Sequence, residues 1–260
     1  MSAQTTSEQE QQHETASYIY GLVFSDTTLD RGVSGVGEPP AEVQLVSHGQ
    51  VAALVSEVDL TQPLGTPEDL LAHEQLLDAI AADVPVLPLR FGAVMTNQDA
   101  VADEFLAPHE EEFAEALKQV EGRAQYMVRA RFVEDVILRE ILTQSPQAKQ
   151  LRDQLKDKPE AATRDVRIRL GELINQTVAA MRDQATQALA ETLQPHTVMS
   201  SAREPGSEMD AANLAVLVDM SHQDEFQQAV EDIEREWDGR ITVRVVGPLA
   251  PYDFVVSPQV

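Results

Sequence analysis

The 260-residue chain contains no cysteine. Disulfide frameworks, thiolate nucleophiles and Cys-ligated zinc are therefore excluded. Basic residues are scarce: 19 stand against 44 acidic ones, for a net charge of −25. That balance argues against nucleic acid, whose phosphates it would repel, and against anionic membrane surfaces. No apolar run approaches the roughly 18 residues of a membrane span. Met1–Ala16 is rich in Gln, Glu, Ser and Thr and lacks the apolar region of a secretory signal. It reads as a disordered tail, and a cytoplasmic location is expected. A hydrophobic content of 43% is ordinary for a globular protein, and the length has room for two domains of about 100–150 residues.

The chain is organised around His73–Met95, where a helix runs straight into a proline-bearing strand. Thr66 is placed to cap that helix, with Pro67 at its first position and Asp69 in its first turn. Leu70, His73, Leu77, Ile80 and Val84 recur at helical spacing and mark one apolar face. Pro85 stops the helix, which spans 67–83. Val86–Phe91 then alternates, with Leu87, Leu89 and Phe91 on one side and Val86, Pro88 and Arg90 on the other. Proline cannot donate to a ladder, so this strand belongs at a sheet edge.

Tyr18–Phe24 reads as a central strand and the turn-rich Ser25–Pro40 as a flexible loop. Val43–Val46 and Val51–Val55 flank a hairpin tip. The order β, loop, β, β, α, β is that of a ferredoxin-like fold whose first helix has become a loop. Beyond a bridging helix closed by Gly122, Tyr126–Phe132 alternates inward Tyr126, Val128, Ala130 and Phe132 with outward Met127, Arg129 and Arg131. Helical segments cover 134–155, and a long helix from Pro159 to Leu193 follows, with a close neighbour expected at Gly171. A short strand at His196–Arg203, a central strand at 214–220, a helix opened by Ser221 and Asp224, and an edge strand at 241–246 complete the chain. The fold class is α+β in two domains. Residues 17–121 form an N-terminal modified ferredoxin-like domain, and 122–256 a C-terminal ferredoxin-like domain enlarged by long helices.

His73-Glu74-x-x-Leu77 followed by VLPLRFG at Val86–Gly92 resembles the gas vesicle protein L/F family. Tyr18–Val23 (YIYGLV), Gly122–Arg129 (GRAQYMVR) and Gly247–Phe254 (GPLAPYDF) are similar to further landmarks of that family. The departures are Gln125 for Glu, Tyr126 for Trp, Arg129 for Lys and Ala250 for Pro. The resemblance implies an accessory protein of gas vesicle formation that binds the small shell protein or other accessory proteins.

Motifs that carry chemistry are sparse elsewhere in the sequence. Gly32–Gly37 lacks the following helix of a phosphate loop, and His109-Glu110-Glu111-Glu112 lacks the second His of a zinc helix. His73 reads as a core histidine whose ring finds polar partners; the alternative is an acid–base pair with Glu74, which adjacent helix positions disfavour. Arg90 has two readings, a contact for a partner's carboxylate or an ion pair with Glu74 or Asp78. Gly247–Phe254 is either a strap over the core or a partner-facing peptide. No catalytic, metal or cofactor residue is assigned, and the partner-binding candidates are Val86, Pro88, Arg90, Gly92, Tyr252 and Phe254. The rival function is a small-molecule enzyme or sensor with a cleft near His73 and Arg90.

Overall fold

The computed structural model describes residues 15–29, 32–159 and 162–255. The expected tail therefore lies outside the described residues except for Thr15 and Ala16, which open the first strand. The chain is α+β and forms two compact units. One holds the residues up to Glu121 together with those from Ala250 on; the other is Gly122–Leu249.

In the first unit, β1 (Thr15–Phe24), β2 (Gln44–His48), β3 (Val51–Asp59) and β4 (Leu87–Pro88) line up as β2-β3-β1-β4, all antiparallel. This is the ferredoxin-like order expected from the element sequence. A second short strand, β5 (Val94–Met95), shares the β1 edge with β4. Both faces of β1 are buried, so its near-continuous apolar run is explained. One face packs on α1 (Pro67–Ala81) and the loop that replaces the first helix, with Val36 and Val43 in that core. The other face packs on the helical turn α2 (Gln98–Ala100), a π-helical turn at Val101–Leu106 and α3 (Glu110–Val120).

The replacing loop is pinned rather than free. Val36 N–H donates to the Tyr20 hydroxyl at 2.7 Å and Gly37 N–H to Asp69 at 3.0 Å. At Gly21 a Cβ would meet the Leu87 carbonyl oxygen at 2.7 Å and Leu77 Cδ2 at 2.9 Å. Glycine here lets β4 close on β1 beneath α1. Gly21→Ala is expected to cost about 1–3 kcal/mol, because the obstructing atom is backbone and the site is already filled. The denaturant midpoint of the purified chain measures it.

The second unit repeats the order. β6 (Arg123–Phe132), β7 (Met199–Ala202), β8 (Asp210–Asp219) and β9 (Ile241–Leu249) pair antiparallel as β7-β8-β6-β9. Helices α4 (Glu134–Gln144), α5 (Pro146–Leu155), α6 (Arg164–Leu193) and α7 (Gln223–Glu236) supply its core. Ser145 caps α5 by accepting from Ala148 N–H at 3.2 Å. Gly247 lies over Tyr126, whose ring a Cβ would meet at 2.5 Å, so two of the sequence landmarks pack on each other.

Several expectations are corrected. The strand at Val86–Phe91 shrinks to Leu87–Pro88. Of the stripe drawn through α1, His73 and Leu77 are buried and Ile80 and Val84 pack on the same core, with Leu76 joining them; Leu70 leaves it, being 44% exposed. Gly171 faces open space instead of a close neighbour. Asp219, not a Ser221–Asp224 box, caps the turn before α7, accepting from Ser221 N–H at 2.9 Å. Residues 250–255 belong to the first unit instead of closing the second, since Ala250 is buried in the α1-side core and donates its N–H to Asp78 at 2.8 Å.

Candidate functional site

The site is an arch on the open edge of the first sheet. Leu89 N–H donates to the Tyr20 carbonyl at 2.8 Å, and Ile19 N–H donates to the Ala93 carbonyl at 2.9 Å. Two neighbours in β1 thus hold residues four apart, and Arg90-Phe91-Gly92 loops out of the ladder between them. Gly92 makes the turn possible with φ 95°, a backbone conformation that side chains disfavour.

A buried polar chain fixes the arch from behind. His73 is 2% exposed. Its Nε2 is 3.1 Å from the Leu89 carbonyl oxygen, which only accepts, so Nε2 carries the proton. Nδ1 then accepts from the Tyr18 hydroxyl at 2.9 Å, and that hydroxyl accepts in turn from Gly92 N–H at 3.2 Å. Rings close around the imidazole: Tyr20 stacks on it at 5.5 Å, and Tyr18 and Phe91 meet it edge-on at 5.8 and 5.6 Å. Burial holds the His73 pKa below its usual value, opposed by the Leu89 contact, and pushes the Tyr18 phenol upward. Both ring nitrogens are occupied. His73 is thus positioned as a structural link, and Glu74 points away into solvent.

α1 itself is clamped at its start. Thr66 and Asp69 form a reciprocal capping box, and Asp69 also accepts from Gly65 and Gly37. Burial raises its carboxyl, but the Gly37, Thr66 and Gly65 donors outweigh that and hold it below the usual range.

The candidate contacts separate into two groups. Val86 and Pro88 are buried, so their side chains are unavailable to a partner. They fall among the four consecutive buried residues Val86–Leu89, which are covered on both sides of the sheet where simple alternation places every other one outward. Arg90 and Gly92 are exposed at the arch. Tyr252 and Phe254 are half-buried in the closing segment. Tyr252 packs against the α1-side core, and its buried hydroxyl has no hydrogen-bond partner among the described residues.

Arg90 forms no ion pair or hydrogen bond among the described residues, so the internal pairing with Glu74 or Asp78 is not made. Asp78 instead serves the Ala250 N–H. The charge around it is one-sided. The first unit holds 23 acidic and three basic residues: Arg31, Arg90 and Lys118. Lys118 lies 3.9 Å from Glu115, and Arg31 lies outside the described residues. Arg90 is thus an unneutralised cation on a unit of net charge −20. Sequence reasoning found it through the motif; the missed element was Tyr18, whose link to Gly92 spans 74 residues.

Two surface depressions, of about 450 and 440 Å³, lie at Glu231–Gly239 and at Ala107–Glu112, and neither includes His73 or Arg90. Among the described residues no three His, Asp or Glu side chains converge as a metal site would require. No helix among them is long and apolar enough to cross a membrane.

Residues 16–256 match the model of the family described as gas vesicle synthesis protein GvpL/GvpF. The chain belongs to that family. Gas vesicle protein F of Streptomyces sp. strain CB03234 is 30% identical over 244 residues, covering 92% of this chain and 99% of that one. Gas vesicle protein F of Nostoc sp. strain PCC 7120 is 28% identical, over 91% and 96%. Among solved structures, the crystal structure of GvpF from Anabaena sp. PCC7120 superposes with a TM-score of 0.76 at 25% identity, covering 94% of this chain and all of that one. This family member is therefore a protein of gas vesicle formation, and the arch, with its supporting His73, is where the motif HE-x-x-L…LPLRFG sits in its fold.

Proposed function

We propose that this GvpL/GvpF-family chain is a non-enzymatic accessory protein that binds the small shell protein, or another vesicle accessory protein, beside the growing gas vesicle. The observation that carries the reading is Arg90, held without a partner among the described residues at the tip of a hydrogen-bonded arch, on a unit of net charge −20. A guanidinium so placed is preorganised for a carboxylate, and a charge-assisted contact contributes about 1.5–3 kcal/mol once desolvated. Backbone pairing along β4 contributes less, because the strand has two residues and Pro88 has no N–H to donate.

Arg90→Glu tests this. Affinity for purified shell protein is expected to fall about tenfold or more, with the melting temperature within a few degrees of the parent. Unchanged binding by the folded variant would remove Arg90 from the interface. The enzyme reading finds no support in His73, whose two nitrogens are both engaged.

A further inference from the structure

Sixteen of the 19 basic residues lie in Gly122–Leu249. Several of them gather on one face of the second sheet. Arg129 of β6 stands directly opposite Arg244 of β9 on one side and Asn213 of β8 on the other. Arg203 N–H donates to the Asn213 carbonyl at 2.8 Å and extends the row to the far edge. One line across four strands thus reads Arg203, Asn213, Arg129, Arg244, with about 4.8 Å from strand to strand. Arg131 lies two residues along β6, about 6.8 Å from Arg129 on the same face. Val128, Ala130 and Phe132 occupy the opposite face within the core, so the arginines project away from the helices. All four are exposed.

Like charges directly opposed across a ladder are unfavourable. Among the described residues neither Arg129 nor Arg244 makes an ion pair or a side-chain hydrogen bond. Asp210, which faces Arg131 in the register, accepts from the Gly206 and Ser207 N–H groups and the Ser207 hydroxyl and is also drawn to the Arg131 charge, so Arg131 is partly compensated where Arg129 and Arg244 are not. A glutamate in place of either opposed arginine would convert repulsion into attraction. Folding alone therefore gives no reason for this pair, and local rules broken without internal compensation point to a site.

We propose that this face of the second sheet is a docking surface for an acidic helix of a partner polypeptide, whose carboxylates Arg129, Arg131 and Arg244 bind. Glutamates at i and i+4 of a helix are about 6 Å apart, close to the separation of Arg129 and Arg131. Arginine forks match carboxylates in two-bond geometry. Val246, two residues beyond Arg244 on the same face and 36% exposed, offers an apolar contact beside the charges. A long polyphosphate fits less well, because the unit as a whole still carries 21 acidic residues against 16 basic ones.

The probe is a labelled 20-residue helical peptide with glutamates paired at i and i+4, titrated with the full chain at low and high salt. Binding that weakens with salt and drops about tenfold in Arg129→Glu and in Arg244→Glu is expected. The melting temperatures of both variants should be unchanged or raised, the opposite of what a structural role for the arginines predicts. Absence of binding at low salt, or full binding by either folded variant, overturns the proposal. A 20-nucleotide single strand that binds through the same arginines more tightly than the peptide also overturns it, in favour of phosphate recognition.

Discussion

Phenylalanine at position 18 is expected to lower the stability of the folded chain by about 2–4 kcal/mol while leaving its denaturant m-value unchanged. The substitution keeps the ring and its contacts with Tyr20 and Phe91, at 4.8 and 5.6 Å. It removes only the hydroxyl. That oxygen donates to His73 Nδ1 and accepts from Gly92 N–H, so one deletion leaves a buried ring nitrogen and a partly buried N–H without their partner. Each such group costs about 1–3 kcal/mol. Because Gly92 is one foot of the arch, affinity for shell protein should fall together with stability. His73→Gln is the control: its amide retains one donor for Leu89 and one acceptor for Tyr18, and vesicle formation should largely persist. Parent-like stability of Tyr18→Phe would show that the hydroxyl does not tie the arch, and loss of vesicles with a stable, folded His73→Gln would give His73 a role beyond packing.

How far the sequence carried can be seen at this same place. Strand order was legible because two runs of β, connection, β, β, α, β leave few compact topologies, and both sheets adopt the order 2-3-1-4. Edge placement of the β4 segment was legible from Pro85 and Pro88, because a missing N–H is a local property. The arch was not legible. Alternation at Val86–Phe91 looks the same whether the chain continues as a strand or leaves the ladder after Leu89. The partners that decide it, Tyr18 and His73, sit 74 and 16 residues away from theirs. The closing segment failed for the same reason, since nothing local in GPLAPYDF states which core receives Ala250. The isolation of Arg90 among the described residues is foreshadowed by the scarcity of cations in the first half of the chain.

Acid should loosen the first unit through His73, with a sign set by burial. The unfolded chain has an ordinary imidazole, near 6.5, whereas burial holds the folded value lower. Between the two, the unfolded state binds a proton that the folded state refuses. Stability from this residue is therefore complete above pH 6.5 and declines as the pH falls toward the folded-state value, by up to about 1.4 kcal/mol per pH unit. The structural reason is that a protonated ring carries hydrogen on Nδ1 and can no longer accept from the Tyr18 hydroxyl, whose own proton then loses its partner. Two carboxyls of α1 oppose one another. Burial raises the Asp78 carboxyl, against the Ala250 donor, so its protonation favours the folded state; the donors around Asp69 lower its carboxyl, so its protonation favours unfolding. Both are common to a His73→Gln variant. The difference between parent and His73→Gln unfolding free energies at pH 7, 6 and 5 therefore isolates the imidazole. The parent should lose close to 1 kcal/mol per unit more than the variant below pH 6.5, and its affinity for shell protein should fall over the same interval as the arch slackens. Parallel stability curves for the two proteins would show that His73 titrates freely in the folded state, which its buried hydrogen bonds to Tyr18 and Leu89 forbid.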